Sequence, residues 1–221
     1  MEQFVSIDVE AAATGRGHND RAPCRVAIVD RLERTLYHTI IQVPNLYSPL
    51  TELTGLTANE IRRGCTLDQA LRDVRSFLGP NVVIVGQRPQ GDVKWLQLME
   101  GVDFKRMIDL AECFKMWNSY YGTYSYFSLA KTAYCLLGIV MQQAGTSHDP
   151  VEDAKISIRI YNRFVAPGSS HEARASEKLK KMMLAKGFPS CLMGKNRNIP
   201  IDGVCSHKFN ASRCFCGQVT E

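Results

Sequence analysis

The run NVVIVG, residues 81 to 86, restricts the fold more than any other stretch of this chain. Four β-branched residues in a row, closed by a glycine, read as a short strand, and the lack of polar alternation demands cover on both faces. The interior of a sheet with helices on either side provides that cover. FVSIDVE (4–10), CRVAIVD (24–30), RTLYHTIIQV (34–43) and FKRMIDL (104–110) supply four more strands from their β-branched and aromatic content, the first three as a meander. Helical stretches lie between and after them. TANEIRRG and TLDQALRDVRSFLG open on threonine N-caps, Thr57 and Thr66, and stop at Gly64 and Gly79. GDVKWLQLM follows the buried strand, with Trp95 on its apolar face. SLAKTAYCLLG (128–138) ends on a glycine, and PVEDAKISIRIYNRF (150–164) sets Val151, Ala154, Ile158 and Tyr161 along one face. The pattern predicts an α/β fold, a mixed five-stranded sheet flanked by helices.

The turn-rich APGSS (166–170) marks a boundary between a body, residues 1–166, and a C-terminal appendage, residues 167–221. The charge is divided unevenly. From residue 154 onward the chain carries 12 Lys and Arg against 4 Asp and Glu, whereas residues 1–153 carry 15 against 18. An acidic body beside a basic grip suits a polyanionic partner; a solvated tail has the same composition. The appendage begins with a basic helix, HEARASEKLKKMMLAKG, stopped by Gly187. In CSHKFNASRCFCG, Cys205 and His207 form one short-spaced pair of soft ligands and Cys214 and Cys216 another. Such a set suits tetrahedral zinc, with Cys191 as an alternative ligand; incidental thiols on a tail are the other reading. Zinc would order a stretch whose apolar content is too low to fold alone.

Cys24, Cys65, Cys113 and Cys135 read as small buried apolar residues. No apolar run approaches a membrane span, and the polar start MEQFVSIDVE is not a signal peptide. An intracellular chain, nuclear or cytoplasmic, with reduced thiols and no membrane partner is therefore expected.

Chemistry concentrates at three places. In FVSIDVE, Asp8 and Glu10 are two residues apart, so on a strand both carboxylates leave from one face while Val5, Ile7 and Val9 occupy the other. Adjacent carboxylates repel, and hard cations such as Mg²⁺ or Mn²⁺ relieve that repulsion; an exposed strand edge is the bland alternative. Asp92 follows the buried strand, either as an N-cap or as a ligand beyond the strand's carboxyl end. In TSHDPVEDAK, Asp149 and Pro150 open a helix, with Glu152 closing a capping-box-like pair. His148 and Asp153 then take the two positions that face each other across the helix start, where apolar residues normally meet. A polar pair there is either a solvated helix start or part of a site. Asp109 is expected to bond the backbone nearby, an outer-sphere role at a site being the alternative. The aromatic run MWNSYYGTYSYF (116–127) offers either stacking surfaces for bases or a loop packed on the body.

Asp8-Val9-Glu10, Asp92, and His148 with Asp153 resemble the three motifs of a DEDDh-type 3′–5′ exonuclease of the ribonuclease-H-like fold. More narrowly, RVAIVD, TELTGLT, IVGQRPQGDVKWL, SLAKTAYCLLG and HDPVEDAKISIRIY are similar, in order and spacing, to the RNA exonuclease 4 and interferon-stimulated exonuclease group. The resemblance runs from about residue 4 to 164 and implies a metal-dependent nuclease releasing mononucleotides from single-stranded RNA or DNA with a free 3′ end. It implies that Asp8, Glu10, Asp92 and Asp153 hold two Mg²⁺ or Mn²⁺ ions per active site and that His148 is the general base. A DNA exonuclease and a non-cleaving nucleic-acid-binding module are the alternatives. Where relatives often read Gly-His before the second aspartate, this chain has Gly86-Gln87, and small alanines follow the first motif in EAAATGRG.

Overall fold

The computed structural model describes residues 2–141, 147–167, 175, 177–179 and 201–205. The sheet has five strands in the order β3-β2-β1-β4-β5, built from β1 (Gln3–Ala13), β2 (Arg21–Asp30), β3 (Thr35–Ile40), β4 (Val82–Gly86) and β5 (Arg106–Asp109). β1, β2 and β3 run antiparallel as the expected meander, and β4 and β5 pair parallel beyond β1. All five residues of β4 are buried, as an unalternating apolar strand must be.

Two layers of helix supply the cover. On one face Val5, Ile7, Val26, Ile28, Val82 and Ile84 meet Ala70, Leu71 and Val74 of α3 (Leu67–Ser76) and Val93 of α4 (Gln90–Trp95). On the other, Val29 and Val85 meet α5 (Leu110–Cys113), α6 (Leu129–Leu137) and α7 (Pro150–Ile160), which lies across β1 and β2. Each fully buried Val or Ile contributes roughly 1.5–3 kcal/mol relative to exposure, so the two layers fix the sheet from both sides. The short helices α1 (Thr51–Thr54) and α2 (Ala58–Arg62) precede α3. Thr57 closes a full capping box with Glu60, Thr66 caps α3, and Gly138 ends α6 at φ 74°, as expected.

Several local expectations need correction. Asp149 caps α7 by accepting the Val151 N–H at 3.1 Å, but Glu152 forms no capping box and pairs instead with Lys155 at 2.9 Å. Asp92 is not an N-cap: Pro89 holds that position, and Asp92 sits in the first turn of a helix that ends at Trp95. Trp95 itself is half-buried. The stretch from 116 on is neither a packed loop nor irregular; β6 (Met116–Asn118) and β7 (Thr123–Ser125) form a separate antiparallel ribbon.

The C-terminal part touches the body. Of the basic helix expected over 171–187, the described residues are helical, with Ala175 and Leu179 buried among the apolar residues of α6 and α7. Ile201–Cys205 returns to the far end of β1: Asp202 and Gly203, at φ 51° and 72°, make a tight turn between the bridged Ile201 and Val204. Val204 packs on Ala13 and Leu50, and the Cys205 N–H donates to Arg16 O at 2.8 Å. An Asp-Gly pair between β-branched residues is a hairpin signal, and it was legible in IDGV. Cys191, His207, Cys214 and Cys216 lie outside the described residues.

Candidate active site

β1 is eleven residues long and β4 five, and their pairing stops at Ser6 with Val85. Beyond that point β1 continues with one edge unladdered by β4, and it is this overrun that carries Asp8 and Glu10. They share the parity of Phe4, whose ring packs on the α7 side, while Val5 and Ile7 fill the opposite core. Immediately after Glu10 the register with β2 shifts, opposite Pro23, which has no N–H to give to the ladder.

Asp92 arrives from α4 at the carboxyl end of β4. The Val9 backbone amide on the overrun of β1 hydrogen-bonds its carboxylate, yet burial outweighs that bond and, with Glu10 adding repulsion, lifts Asp92 to a pKa of about 8. Burial likewise raises Asp8 well above the ordinary aspartate value, reinforced by the charges of Asp92, Asp153 and Glu10. The loop between β4 and α4 is held by Asp109, which ends β5. Its Oδ1 accepts from the N–H of Arg88 (2.9 Å) and Ala111 (2.8 Å), and its Oδ2 from Gln90 Nε2 (3.2 Å). Gln87 donates through Nε2 to Phe127 O at 2.7 Å.

The third motif sits at the start of α7. His148 Nδ1 lies 3.3 Å from Asp153 Oδ2 and 4.0 Å from Glu10 Oε1. Donor atoms of Glu10, His148 and Asp153 all fall within 4.8 Å of one another. Three supports fix this motif. The His148 N–H donates to Leu53 O at 2.8 Å, and Gly55, at φ 71°, lets the neighbouring Ser147 approach so closely that a Cβ there would overlap its hydroxyl. Arg25 of β2, directly opposite Glu10 in register, reaches over to Asp149 at 3.1 Å and ties the helix cap to the sheet. Neither Arg25 nor Gly55 stood out in the sequence reading. Arg25 was hidden because its role depends on strand register, whereas the glycine of TELTGLT, before a threonine cap, was a usable signal.

The residues singled out in the body, Asp8, Glu10, Asp92, His148 and Asp153, thus come from β1, α4 and the start of α7 to one end of the sheet. Glu10, His148 and Asp153 form its tightest group, with Asp8 and Asp92 coupled to it through charge. Four carboxylates gathered this way, with Asp8 and Asp92 held protonated first by burial and then by neighbouring charge, are chemically matched to a hard divalent cation.

This chain has a ribonuclease-H-like fold, and its site residues resemble the motifs of exonucleases of that fold. Its sequence is 25% identical over 166 residues to RNA exonuclease 4 of Mycosarcoma maydis, spanning 72% of this chain and 41% of that protein. Its fold matches the Saccharomyces cerevisiae Pan2 pseudoubiquitin hydrolase–RNA exonuclease module in complex with AAUUAA RNA at a TM-score of 0.70 and 18% identity, covering 85% of this chain and 33% of that one. The Neurospora crassa Pan2 catalytic unit, with protease and nuclease domains, matches at a TM-score of 0.64 and 20% identity, covering 84% and 30%. The chain therefore spans less than half the length of each of these proteins. No family model matches it. Among the described residues no helix is long and apolar enough to cross a membrane.

Proposed function

We propose that this chain is a metal-dependent 3′–5′ exonuclease that hydrolyses single-stranded RNA to mononucleotides. The observation that carries the reading is the meeting of four carboxylates from three elements with one histidine at the carboxyl end of the central strands. The similarity to a protein named RNA exonuclease 4, and the RNA held by the yeast fold neighbour, favour RNA over DNA.

In this mechanism Asp8, Glu10, Asp92 and Asp153 would hold two Mg²⁺ or Mn²⁺ ions, which when bound supply a polarised water and charge stabilisation at the leaving 3′ oxygen. His148 takes the water's proton. Asp153 sets the imidazole's orientation through Nδ1, and the hydrogen bond to Leu53 fixes its main chain, so the base is positioned before substrate arrives. Asp109 keeps the Asp92 loop in place and stays out of the reaction. A free 3′ end is the substrate feature this reading requires.

The test is a set of 3′-free and 3′-blocked oligonucleotides, as RNA and as DNA, incubated with Mg²⁺ or Mn²⁺. Mononucleotides released from 3′-free RNA alone are expected. Internal cuts in a circular RNA would assign a different kind of nuclease. The C-terminal zinc site at Cys205, His207, Cys214 and Cys216, with Cys191 as the alternative, belongs to the same proposal as a structural element. Cys205, which is buried, is the one of these residues that the structure describes.

A further inference from the structure

The ribbon of β6 and β7 exposes aromatic surface that the fold does not use. Tyr120 is 85% exposed, Tyr121 73% and Trp117 59%. Leaving such rings in water forgoes the burial that aromatic residues normally contribute. Tyr124 and Tyr126 of the same stretch are exposed as well, and the other exposed large apolar side chains among the described residues lie outside it.

These rings are held in order. Trp117 and Tyr124 are cross-strand partners with centroids 5.2 Å apart, edge to face. At the tip Asn118 Oδ1 accepts from the N–H of Tyr120 and Tyr121, so the two tyrosines stand in a built turn. Cations sit on the ring faces: Lys115 Nζ lies 4.5 Å from the Tyr124 centroid, and the Arg88 guanidinium 5.2 Å from that of Tyr126. Arg88 adopts a left-handed φ of 58°, uncommon for a residue with a side chain, in the loop that delivers Asp92. The same loop is tied to the base of the ribbon by the hydrogen bond from Gln87 to Phe127. The ribbon is thus tied to the loop that leads to Asp92.

Resting on the nuclease reading above, we infer that this ribbon is a stacking platform for the bases of single-stranded RNA that lie 5′ of the nucleotide being removed. Every base has a π-face, so ordered rings hold a single strand without reading its sequence. The ribbon presents almost no aliphatic surface, and its polar remainder of Asn, Ser, Thr and Gly leaves the rings free to slot between bases. A strand gripped there would enter the acidic site 3′ end first and advance by one base after each cleavage.

The chain has two tryptophans, so a Trp95→Phe change leaves Trp117 as the sole reporter. In a full-length Trp95→Phe, Asp8→Asn protein, which binds without cutting, a 12-nucleotide oligouridine is expected to quench Trp117 emission and a dinucleotide is not. Trp117→Ala or Tyr124→Ala should weaken binding of the 12-mer, read by anisotropy, by roughly 5- to 150-fold for each base unstacked. Tyr120→Ala, at the solvent-exposed tip, gives a third reading should either of the others fail to fold. Saturating 12-mer binding without quenching, or affinities of the folded variants within twofold of the parent, overturns the inference. Variants that keep RNA affinity but lose a protein partner would assign the surface to protein recognition and overturn it equally. Failure of the nuclease reading shows separately, as a Trp95→Phe protein that is quenched by RNA yet leaves a 3′-free end intact.

Discussion

His148 Nδ1 and Asp153 Oδ2 meet at 3.3 Å although they stand five positions apart in the sequence, an interval too long for neighbours on one helix face. The helix start between them makes the contact possible: Asp149 caps, Pro150 begins the turn, and the chain folds His148 back over the fourth helical residue. With His148 as the base, His148→Ala should lower the turnover of 3′-free RNA by about 10²- to 10⁴-fold. Titration calorimetry with Mn²⁺ should show affinity little changed. A variant that loses its metal affinity would make His148 a ligand.

Asp8→Asn, Glu10→Gln, Asp92→Asn and Asp153→Asn should each abolish hydrolysis. In chelator each should melt at or above the temperature of the parent, because a mutually repelling acid has been neutralised without emptying the core. Near-normal turnover by any two of them would end the two-ion assignment.

Stability without ions should depend on pH in an unusual direction. Burial, then the charges around them, hold Asp8 and Asp92 above the ordinary aspartate value, Asp92 at about 8. A carboxyl whose folded pKa is raised favours the folded state while protonated. Its contribution is full below about pH 4 and fades as pH rises through about 8. The melting temperature in chelator should therefore fall between about pH 5 and pH 8, and millimolar Mg²⁺ should restore it at the upper end. A flat or rising profile in chelator would contradict the crowding of these acids.

Gly55→Ala places a Cβ on the Ser147 hydroxyl at a left-handed φ, costing on the order of 1–2 kcal/mol or more in stability. The displacement falls on the segment that presents His148. The turnover number should drop more than the RNA Michaelis constant rises, whereas Gly101→Ala, also at positive φ but with open space around it, should lower stability and leave that ratio alone.

Zinc in the C-terminal part predicts about one tightly held ion per purified chain, lost on Cys214→Ser. Elemental analysis decides it. Zinc-free protein of unchanged stability would leave the cysteine cluster without a structural role.

The sheet was readable because its strongest signals are local: an unalternating strand reads as interior, and a strand with Val5 and Ile7 on one side and Asp8 and Glu10 on the other puts one face on the core and leaves the other to a site or to solvent. Thr57, Thr66, Asp149 and Gly138 announced their caps for the same reason. What sequence spacing does not carry is who stands opposite whom. Arg25 became visible only when register set it against Glu10, and the Leu53 carbonyl only when α1 came beside His148. The ribbon at 116–125 was ambiguous because aromatic residues serve equally well in strands, cores and binding surfaces.

Glu10 stands on the first strand and Asp153 on α7, about 140 residues later. An ion gripped by both would be held only by a chain that has closed on itself, so ion binding would be linked to global folding. At a free concentration a hundred times its dissociation constant, such an ion adds about 2.7 kcal/mol to the folded state. The population open to proteases shrinks in proportion. The supply of divalent ions would then set how long each molecule survives as well as how fast it works.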